Sequence, residues 1–88
     1  MAITSTRDEE LIKRLVEEDP HSPGPADARV RDYFIHVWAL VGDLKNYAFD
    51  AKSVSEDHRI PVDYVEAAAA YYRQHPEVID GRLAANNS

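Results

Sequence analysis

The four histidines are the side chains of this sequence with the widest chemical use, since imidazole binds metal ions and transfers protons near neutral pH. They occupy positions 21, 36, 58 and 75. No two of them are three or four residues apart, which is the spacing that places two ligands on one face of a helix. The acidic residues 17–19 together with His21 could hold a divalent ion, although a solvated helix end explains such a run better. The pattern therefore predicts no metal site.

Nucleophilic chemistry is not indicated either. The chain has no cysteine, and three of its serines, at positions 22, 53 and 55, lack the flanking glycines of a nucleophile elbow. The three glycines, at positions 24, 42 and 81, stand too far apart for a phosphate-binding loop. We therefore expect no catalytic residues, no cofactor and no enzymatic activity.

Size and charge favour an interaction protein. The 88 residues suffice for one small domain, and 16 acidic against 10 basic residues give a net charge of −6. This field attracts a basic protein and opposes binding to nucleic-acid phosphate, for which the affinity comes largely from Lys and Arg. A domain of this size also buries a modest core, so we expect a homodimer.

The expected compartment is the cytoplasm, without membrane attachment. No apolar run approaches the roughly 20 residues that a membrane-spanning helix requires. The first ten residues are polar and acidic and lack the apolar stretch of a signal peptide.

The expected fold class is mainly α: a three-helix, helix-turn-helix-like domain with a short β element, an N-terminal helical arm and a C-terminal helix. Leu11, Ile12, Leu15 and Val16 form one apolar helical stripe in the arm. Three prolines and a glycine within residues 20–25 exclude a helix there. The predicted segments are the arm 1–19, the linker 20–25, the domain 26–75 and the helical tail 76–88.

Three helices make up the predicted domain. Residues 37–47 carry apolar side chains at helical spacing and form its most hydrophobic element. Asp50 is the expected N-cap of a second helix that ends near His58, with Phe49 and Val54 as its hydrophobic staple. A third helix starts directly after a short turn over 59–61. Its predicted buried stripe consists of Val62, Val65, Ala68, Ala69 and Tyr72.

Arg29 and Arg31 are the candidates for nucleic-acid contact. They lie in residues 29–35, where β-branched and aromatic residues predict a short strand or hairpin. If two chains pair, such a strand presents a basic ribbon; in an isolated edge strand the same arginines form a solvated face. The helix after the 59–61 turn is a weaker candidate, because its outward residues include two carboxylates that would face phosphate. Those outward residues are Asp63, Tyr64, Glu66 and Ala67.

The tail is the candidate for protein contact. Pro76 should break the preceding helix, since its ring clashes with the carbonyl four residues earlier. An amphipathic segment after such a break is typical of helices that bind in a partner's groove. The alternative is that the tail packs on its own domain. The predicted partner-binding residues are Tyr72, Arg73, Ile79, Arg82 and Leu83.

Four short motifs in this order resemble a known family. They are residues 37–42, residues 60–62 leading into 65–68, residues 71–73 and residues 79–82. The pattern over about residues 25–84 is similar to a family of small bacterial helix-turn-helix-like antitoxins, VapB-like in role, which were once catalogued only as a domain of unknown function. The sequence departs from that family at residues 32–35, where relatives usually have a small basic turn, and at Pro76, where relatives often continue the helix.

The resemblance implies a complex with a PIN-like ribonuclease toxin, which the antitoxin neutralises, and binding of operator DNA by the assembled pair. An acidic chain fits this role because an RNA-binding nuclease presents a basic rim around an acidic metal-binding centre. An arginine can meet that centre, since its planar fork matches carboxylates bidentately. Arg82 is the first candidate for this arginine and Arg73 the second. Two alternatives stay open: a transcriptional repressor that acts alone, and an adaptor domain without a toxin.

Overall fold

The computed structural model of the chain describes residues 6–86, and within them the fold is mainly helical with one small sheet, as predicted. Among these residues no helix combines the length and apolar character needed to cross a membrane. The helices are α1 (Thr6–Leu15), α2 (Val37–Asn46), α3 (Ala51–His58), α4 (Val62–Gln74) and α5 (Pro76–Asn86); the strands are β1 (Val16–Glu17) and β2 (Arg29–Val30), and a 3-10 turn covers Pro25–Asp27.

Local signals set the limits of the later helices. Asp50 is the N-cap of α3, where its carboxylate accepts hydrogen bonds from the Lys52 backbone N–H at 3.2 Å and from Ser53 Oγ at 2.7 Å. The α4 helix begins directly after Pro61. It ends before His75, and α5 restarts at Pro76. These three predictions are confirmed, because each depends on side chains and ring geometry within one helical turn.

The α1 helix ends earlier than the sequence pattern predicts. The helix was expected to extend to Asp19, but it stops at Leu15 and the chain continues as β1. Acidic residues at a helix C-terminus oppose the helix dipole. In the strand, Glu17 instead pairs with Arg29 across the antiparallel register, and the Arg31 backbone N–H donates to the Leu15 carbonyl at 2.7 Å.

The predicted arm is part of the common core. Leu11, Leu15 and Val16 are buried in the same apolar cluster as Leu40 and Leu44 of α2. Segments 1–19, 20–25, 26–75 and 76–88 thus describe the order along the chain, and for the described residues they are not separable units. Residues 1–5 of the arm and 87–88 of the tail lie outside the described part.

The β element differs from a simple hairpin within residues 29–35. The strand partner of β2 is β1, with Val16 opposite Val30. After β2 the chain makes a tight turn and returns, so that the Val30 N–H donates to the Ile35 carbonyl at 2.8 Å and the Phe34 N–H to the Val30 carbonyl at 3.1 Å. Tyr33 and Phe34 are exposed on this turn and do not extend the sheet.

The buried side of α4 is wider than the predicted stripe and is shifted along the chain. Val62 is exposed, whereas Ala67 is fully buried, although it was expected to face outward. Ala70 and Tyr71 are buried as well. The reason is that α4 packs against α1, α2 and α3 at once, so small alanine side chains on several sides meet neighbouring helices. The α3–turn–α4 order is present, with Arg59 left-handed in the turn; the helix-turn-helix orientation itself stays a prediction.

The α5 helix packs on α2 and closes the core. Ile79 is fully buried between them and the rest of the core. Gly42 on α2 faces Leu83 of α5, since a Cβ added at Gly42 would lie 3.2 Å from Leu83 Cδ2. The alternative given for the tail, that it packs on its own domain, is therefore what the structure has.

Candidate partner-binding surface

An open groove of about 580 Å³ runs between α2 and α5. Apolar side chains form part of its wall and charged side chains the rest. Its lining includes Trp38, Gly42, Asp43, Lys45, Asp80 and Leu83.

A hydrogen-bonded triad joins two residues of the groove's lining, Lys45 and Asp80, to Tyr72 beside it. The Tyr72 hydroxyl donates to Asp80 Oδ1 at 2.8 Å, and Lys45 Nζ donates to the same oxygen at 2.7 Å. Lys45 also lies 5.3 Å from the centre of the Tyr72 ring. The Lys45 ammonium and the Tyr72 hydroxyl lower the pKa of Asp80, and Asp80 in turn raises the pKa of Lys45. The triad therefore brings the predicted residue Tyr72 to the groove.

A second set of polar side chains, Arg82, Asp27 and Ser22, is linked by hydrogen bonds beside Trp38. The Arg82 guanidinium lies 5.7 Å from the Trp38 ring centre, and its Nε donates to Asp27 Oδ1 at 3.0 Å. The Ser22 hydroxyl donates to the other Asp27 oxygen at 2.7 Å, and this bond, together with Arg82, lowers the pKa of Asp27. The two terminal nitrogens of Arg82 make no hydrogen bond within residues 6–86. The Trp38 indole N–H is buried and has no acceptor among the same residues.

The predicted partner-binding residues divide into three groups. Tyr72, Arg82 and Leu83 lie at or beside the groove. Ile79 is 0 % exposed, so its side chain is a core residue and the prediction that it contacts a partner conflicts with this fold. The periodicity could not separate the two roles, because a buried and a partner-binding isoleucine have the same sequence pattern.

Arg73 lies at a different place, on the outer side of α4. Its Nε and one terminal nitrogen donate to the two oxygens of Asp8 at 2.9 and 2.8 Å, so the ion pair is bidentate. Hydrogen bonding to Asp8 raises the pKa of Arg73. This pair ties α4 to α1 and gives Arg73 a role within the chain.

A second, smaller cleft of about 230 Å³ adjoins Arg73, and we call it the Phe49 cleft. Its apolar lining comes from Leu44, Ala51 and Ala69, with the Phe49 ring at its side. Charged side chains also line it: Arg73, which pairs with Asp8 outside the lining, and the ion pair of Arg7 with Glu66 at 3.0 Å. The Phe49 ring stacks on Tyr72 with ring centres 6.2 Å apart.

Both phenylalanines of the chain share an uncommon geometry that the sequence did not indicate. Phe34 has φ 56° and is 60 % exposed, and Phe49 has φ 62° and is 48 % exposed. A bulky residue with positive φ is a conformational outlier, and such strain clusters at functional sites. The only sequence signal at Phe49 was its position before the Asp50 N-cap, which suggested a staple and not an exposed ring.

The predicted nucleic-acid residues share one carboxylate. Arg29 Nε and Arg31 Nη1 bind the two oxygens of Glu17 at 2.8 and 3.1 Å. The Arg29 guanidinium also lies 4.6 Å from the Phe34 ring centre. Glu17 therefore offsets part of the positive charge of this pair, and a role in binding nucleic acid stays a prediction.

The histidines do not assemble a site within the described residues. No group of three metal-ligating side chains occurs there. His58 Nε2 lies 2.5 Å from Asp43 Oδ2, which links α3 to α2. Its sequence neighbour Asp57 accepts a hydrogen bond from the Tyr47 hydroxyl, and this bond raises the pKa of Tyr47.

Comparison with known proteins gives no relative: no protein-family model, no curated protein and no solved structure matches the chain.

Proposed function

We propose that this chain is the antitoxin of a type II toxin–antitoxin pair and neutralises a PIN-like ribonuclease toxin by direct binding through the α2–α5 groove. The observation that carries the proposal is the gathering of Tyr72, Arg82 and Leu83 around this groove. The ribonuclease as partner comes from the sequence resemblance over residues 25–84. Aromatic residues and arginine are the types that contribute most to interface energies.

Charge supports a basic partner. The chain carries a net charge of −6, and Asp43 and Asp80 lie in the wall of the groove. A nuclease that binds RNA has a basic surface around its active centre, so the two fields attract and accelerate association. The attraction weakens as salt screens it.

Arg82 is the residue proposed to reach the acidic centre of the nuclease. Its Nε bond to Asp27 and its position over Trp38 hold the side chain while its terminal nitrogens stay without a bond in the described residues. A side chain that is already ordered loses less entropy on binding. The terminal nitrogens can then meet a carboxylate pair in the planar geometry that arginine prefers.

DNA binding belongs to the assembled pair in this proposal. Arg29 and Arg31 would contact operator phosphate as a ribbon formed by two chains. The Glu17 carboxylate that both arginines share offsets part of their positive charge in the isolated chain, which disfavours a repressor that acts alone. A mobility-shift titration of the chain's own promoter region, with and without the nuclease and at several salt concentrations, separates the two functions.

The direct test is inhibition of the nuclease encoded beside this chain. Purified nuclease is titrated with the full chain while cleavage of a fluorescent RNA is followed. Wild type should inhibit stoichiometrically, and Arg82→Glu should weaken inhibition about 10- to 100-fold, as expected for the loss of a charge-assisted hydrogen bond. Arg82→Lys should recover only part of this loss because lysine lacks the fork.

Lys13→Glu is the matched control. Lys13 is exposed on α1 and makes no ion pair with another described residue, so the variant has the same charge change at a distance from the groove. Its inhibition should stay close to wild type. Failure of the wild-type chain to bind the nuclease would refute the proposed function. Equal losses for the Arg82 and Lys13 variants would refute the role of the groove.

A further inference from the structure

We propose that the α2–α5 groove receives an amphipathic α-helix of the partner, with the apolar face of that helix in the groove and a basic side chain at one of its ends. The inference rests on the proposed function, in which this groove is the partner-binding surface, and it names the structural element that fills the groove. Three observations support it: the backbone of the walls, the small residues in the lining, and the charge at one end.

Both walls of the groove are helices, and this disfavours an extended segment as the occupant. The backbone N–H and C=O groups along a helix bond to one another, so α2 and α5 present no strand edge. An extended segment would remove water from its own backbone groups without gaining a row of hydrogen-bond partners. A helix satisfies these groups internally and places only side chains in the groove.

Small residues in the lining leave room for large side chains of an occupant. Ala39 and Gly42 of α2 and Ala84 of α5 belong to this lining, and Trp38 and Leu83 add apolar surface. A cavity of about 150 Å³ binds one benzene molecule, so the groove of about 580 Å³ has room for about three groups of that size. One face of an amphipathic helix presents three side chains over about two turns.

The two walls run in opposite directions, which gives the groove two different ends. Lys45 Nζ of α2 donates to Asp80 Oδ1 of α5 at 2.7 Å. One turn earlier on α2, Gly42 faces Leu83, which lies one turn later on α5. Asp80 therefore lies beside the C-terminal end of α2, and Trp38 lies at the other end of the groove. The C-terminus of a helix carries partial negative charge, which adds to the charge of Asp80.

Two carboxylates of the lining each keep one oxygen for a partner. Asp80 accepts hydrogen bonds from Lys45 and Tyr72 through Oδ1 alone, and Asp43 contacts His58 through Oδ2 alone. The other oxygen of each carboxylate makes no hydrogen bond within residues 6–86. Two carboxylates against the single ammonium of Lys45 leave the described lining acidic. A lysine or arginine of the occupant can bind there, whereas a second copy of this acidic chain would be repelled.

Photo-crosslinking of the full chain to the nuclease encoded beside it identifies the segment in the groove. The chain has no cysteine, so Ala85→Cys carries a single benzophenone label on α5, one residue beyond the lining, and Lys13→Cys carries the same label on α1. The label at position 85 should crosslink to one nuclease segment that has apolar residues three or four apart and a Lys or Arg at one end. The label at position 13 should give little product. A synthetic peptide of the crosslinked segment should gain helical circular dichroism when the chain is added.

Two leucine variants test the room in the groove. Ala84→Leu places a larger side chain in the lining, and Ala85→Leu makes the same change at an exposed position of the same helix outside the lining. In calorimetric titration with the nuclease, Ala84→Leu should raise Kd about tenfold or more, on the scale of overpacking. Ala85→Leu should stay within about twofold of wild type. Thermal melts check that both variants are folded.

Two variants of Asn46 test the charge independently of size. Asn46 is an exposed residue of the lining at the Asp80 end of the groove. Asn46→Lys should raise Kd about fivefold, and Asn46→Asp should lower it about two- to fivefold, on the scale of single exposed ion pairs. Both shifts should shrink as salt is added. A disturbance of the fold would instead weaken binding in both variants.

Every other outcome overturns the inference. Failure of wild type to bind the nuclease removes the proposed function and this inference together. If wild type binds, crosslinks spread over several segments, or a crosslinked peptide that stays non-helical, leave the proposed function standing and exclude the helix. Equal Kd values for the Ala84 and Ala85 variants, or Asn46 variants that shift in the same direction, do the same. Crosslinks between two copies of this chain would assign the groove to a dimer.

Discussion

Replacement of Ile79 by alanine separates a core role for the tail from a partner-binding role. Ile79 is 0 % exposed and packs with α2 and the rest of the common core. Its neighbour Val78 is 38 % exposed on the same helix. The two residues are close in size and apolarity, so the pair of variants Ile79→Ala and Val78→Ala differs mainly in burial.

The magnitude follows from the buried side chain. Truncation of a buried isoleucine to alanine removes apolar contacts and leaves a cavity, at about 2–5 kcal/mol. For Ile79 we expect about 3 kcal/mol, since α5 joins the core along one face only and can relax partly. In a domain of this size 1 kcal/mol moves the melting temperature by about 4–8 °C, so Ile79→Ala should melt about 12–24 °C lower. Val78→Ala should change the free energy of unfolding by less than about 0.5 kcal/mol.

Urea unfolding followed by circular dichroism measures both free energies, with Trp38 fluorescence as a second probe. Coincident transitions from the two probes show that α5 unfolds together with the rest of the chain. Nuclease inhibition is measured in parallel, at a temperature where both variants are folded. Wild-type stability for Ile79→Ala together with a loss of inhibition would refute the placement of Ile79 in the core and return it to the partner surface.

Two further predictions concern ion pairs. Arg73→Ala removes the bidentate partner of the Asp8 carboxylate, whose side chain is 10 % exposed. We expect the free energy of unfolding in urea to fall by about 2 kcal/mol. This is below the range for fully buried pairs because the Arg73 side chain is 55 % exposed. Loss of stability near zero would contradict the docking of α1 through this pair. The pKa values of Asp27 and Asp80 are lowered in the folded chain, so their contribution to stability is complete above their ordinary pKa near 3.8 and is lost as the pH falls through the folded values. We therefore measure the urea midpoint of unfolding between pH 7 and pH 2. Below pH 4 this midpoint should fall less steeply for the Asp27→Asn, Asp80→Asn double variant than for wild type. The control Glu10→Gln changes an exposed residue of α1 and should follow wild type.

Helix ends were accessible from the sequence because the forces that set them act over a few residues. The Asp50 side chain caps the α3 backbone directly, and Pro61 and Pro76 impose their geometry within one turn. The end of α1 was missed for the opposite reason. Its last residues exchange a helical conformation for pairing with β2, and that strand lies more than ten residues further along the chain.

The candidate site was accessible in part. Their residue types and their position near the end of the chain predicted Tyr72, Arg82 and Leu83 as partner-binding residues. The fold brings these three side chains to or beside one groove. Ile79 was predicted as a partner-binding residue in the same way. Amphipathic periodicity identifies the apolar face of a helix, but it does not show whether the chain's own core or a partner covers that face. Phe49 was missed because its exposure follows from a left-handed turn, and a phenylalanine with positive φ has no sequence signature.

The sequence by itself determined a small, acidic, mainly helical chain, the helix breaks at Pro61 and Pro76 and the absence of cysteine chemistry. Only the tertiary structure decided that α1 joins the core, that α4 is buried on several sides, and that the Phe49 cleft and the α2–α5 groove exist at all. Composition and local propensity act along the chain, whereas burial and clefts arise where distant segments meet, and the packing of those segments is decided by the whole set of side chains at once.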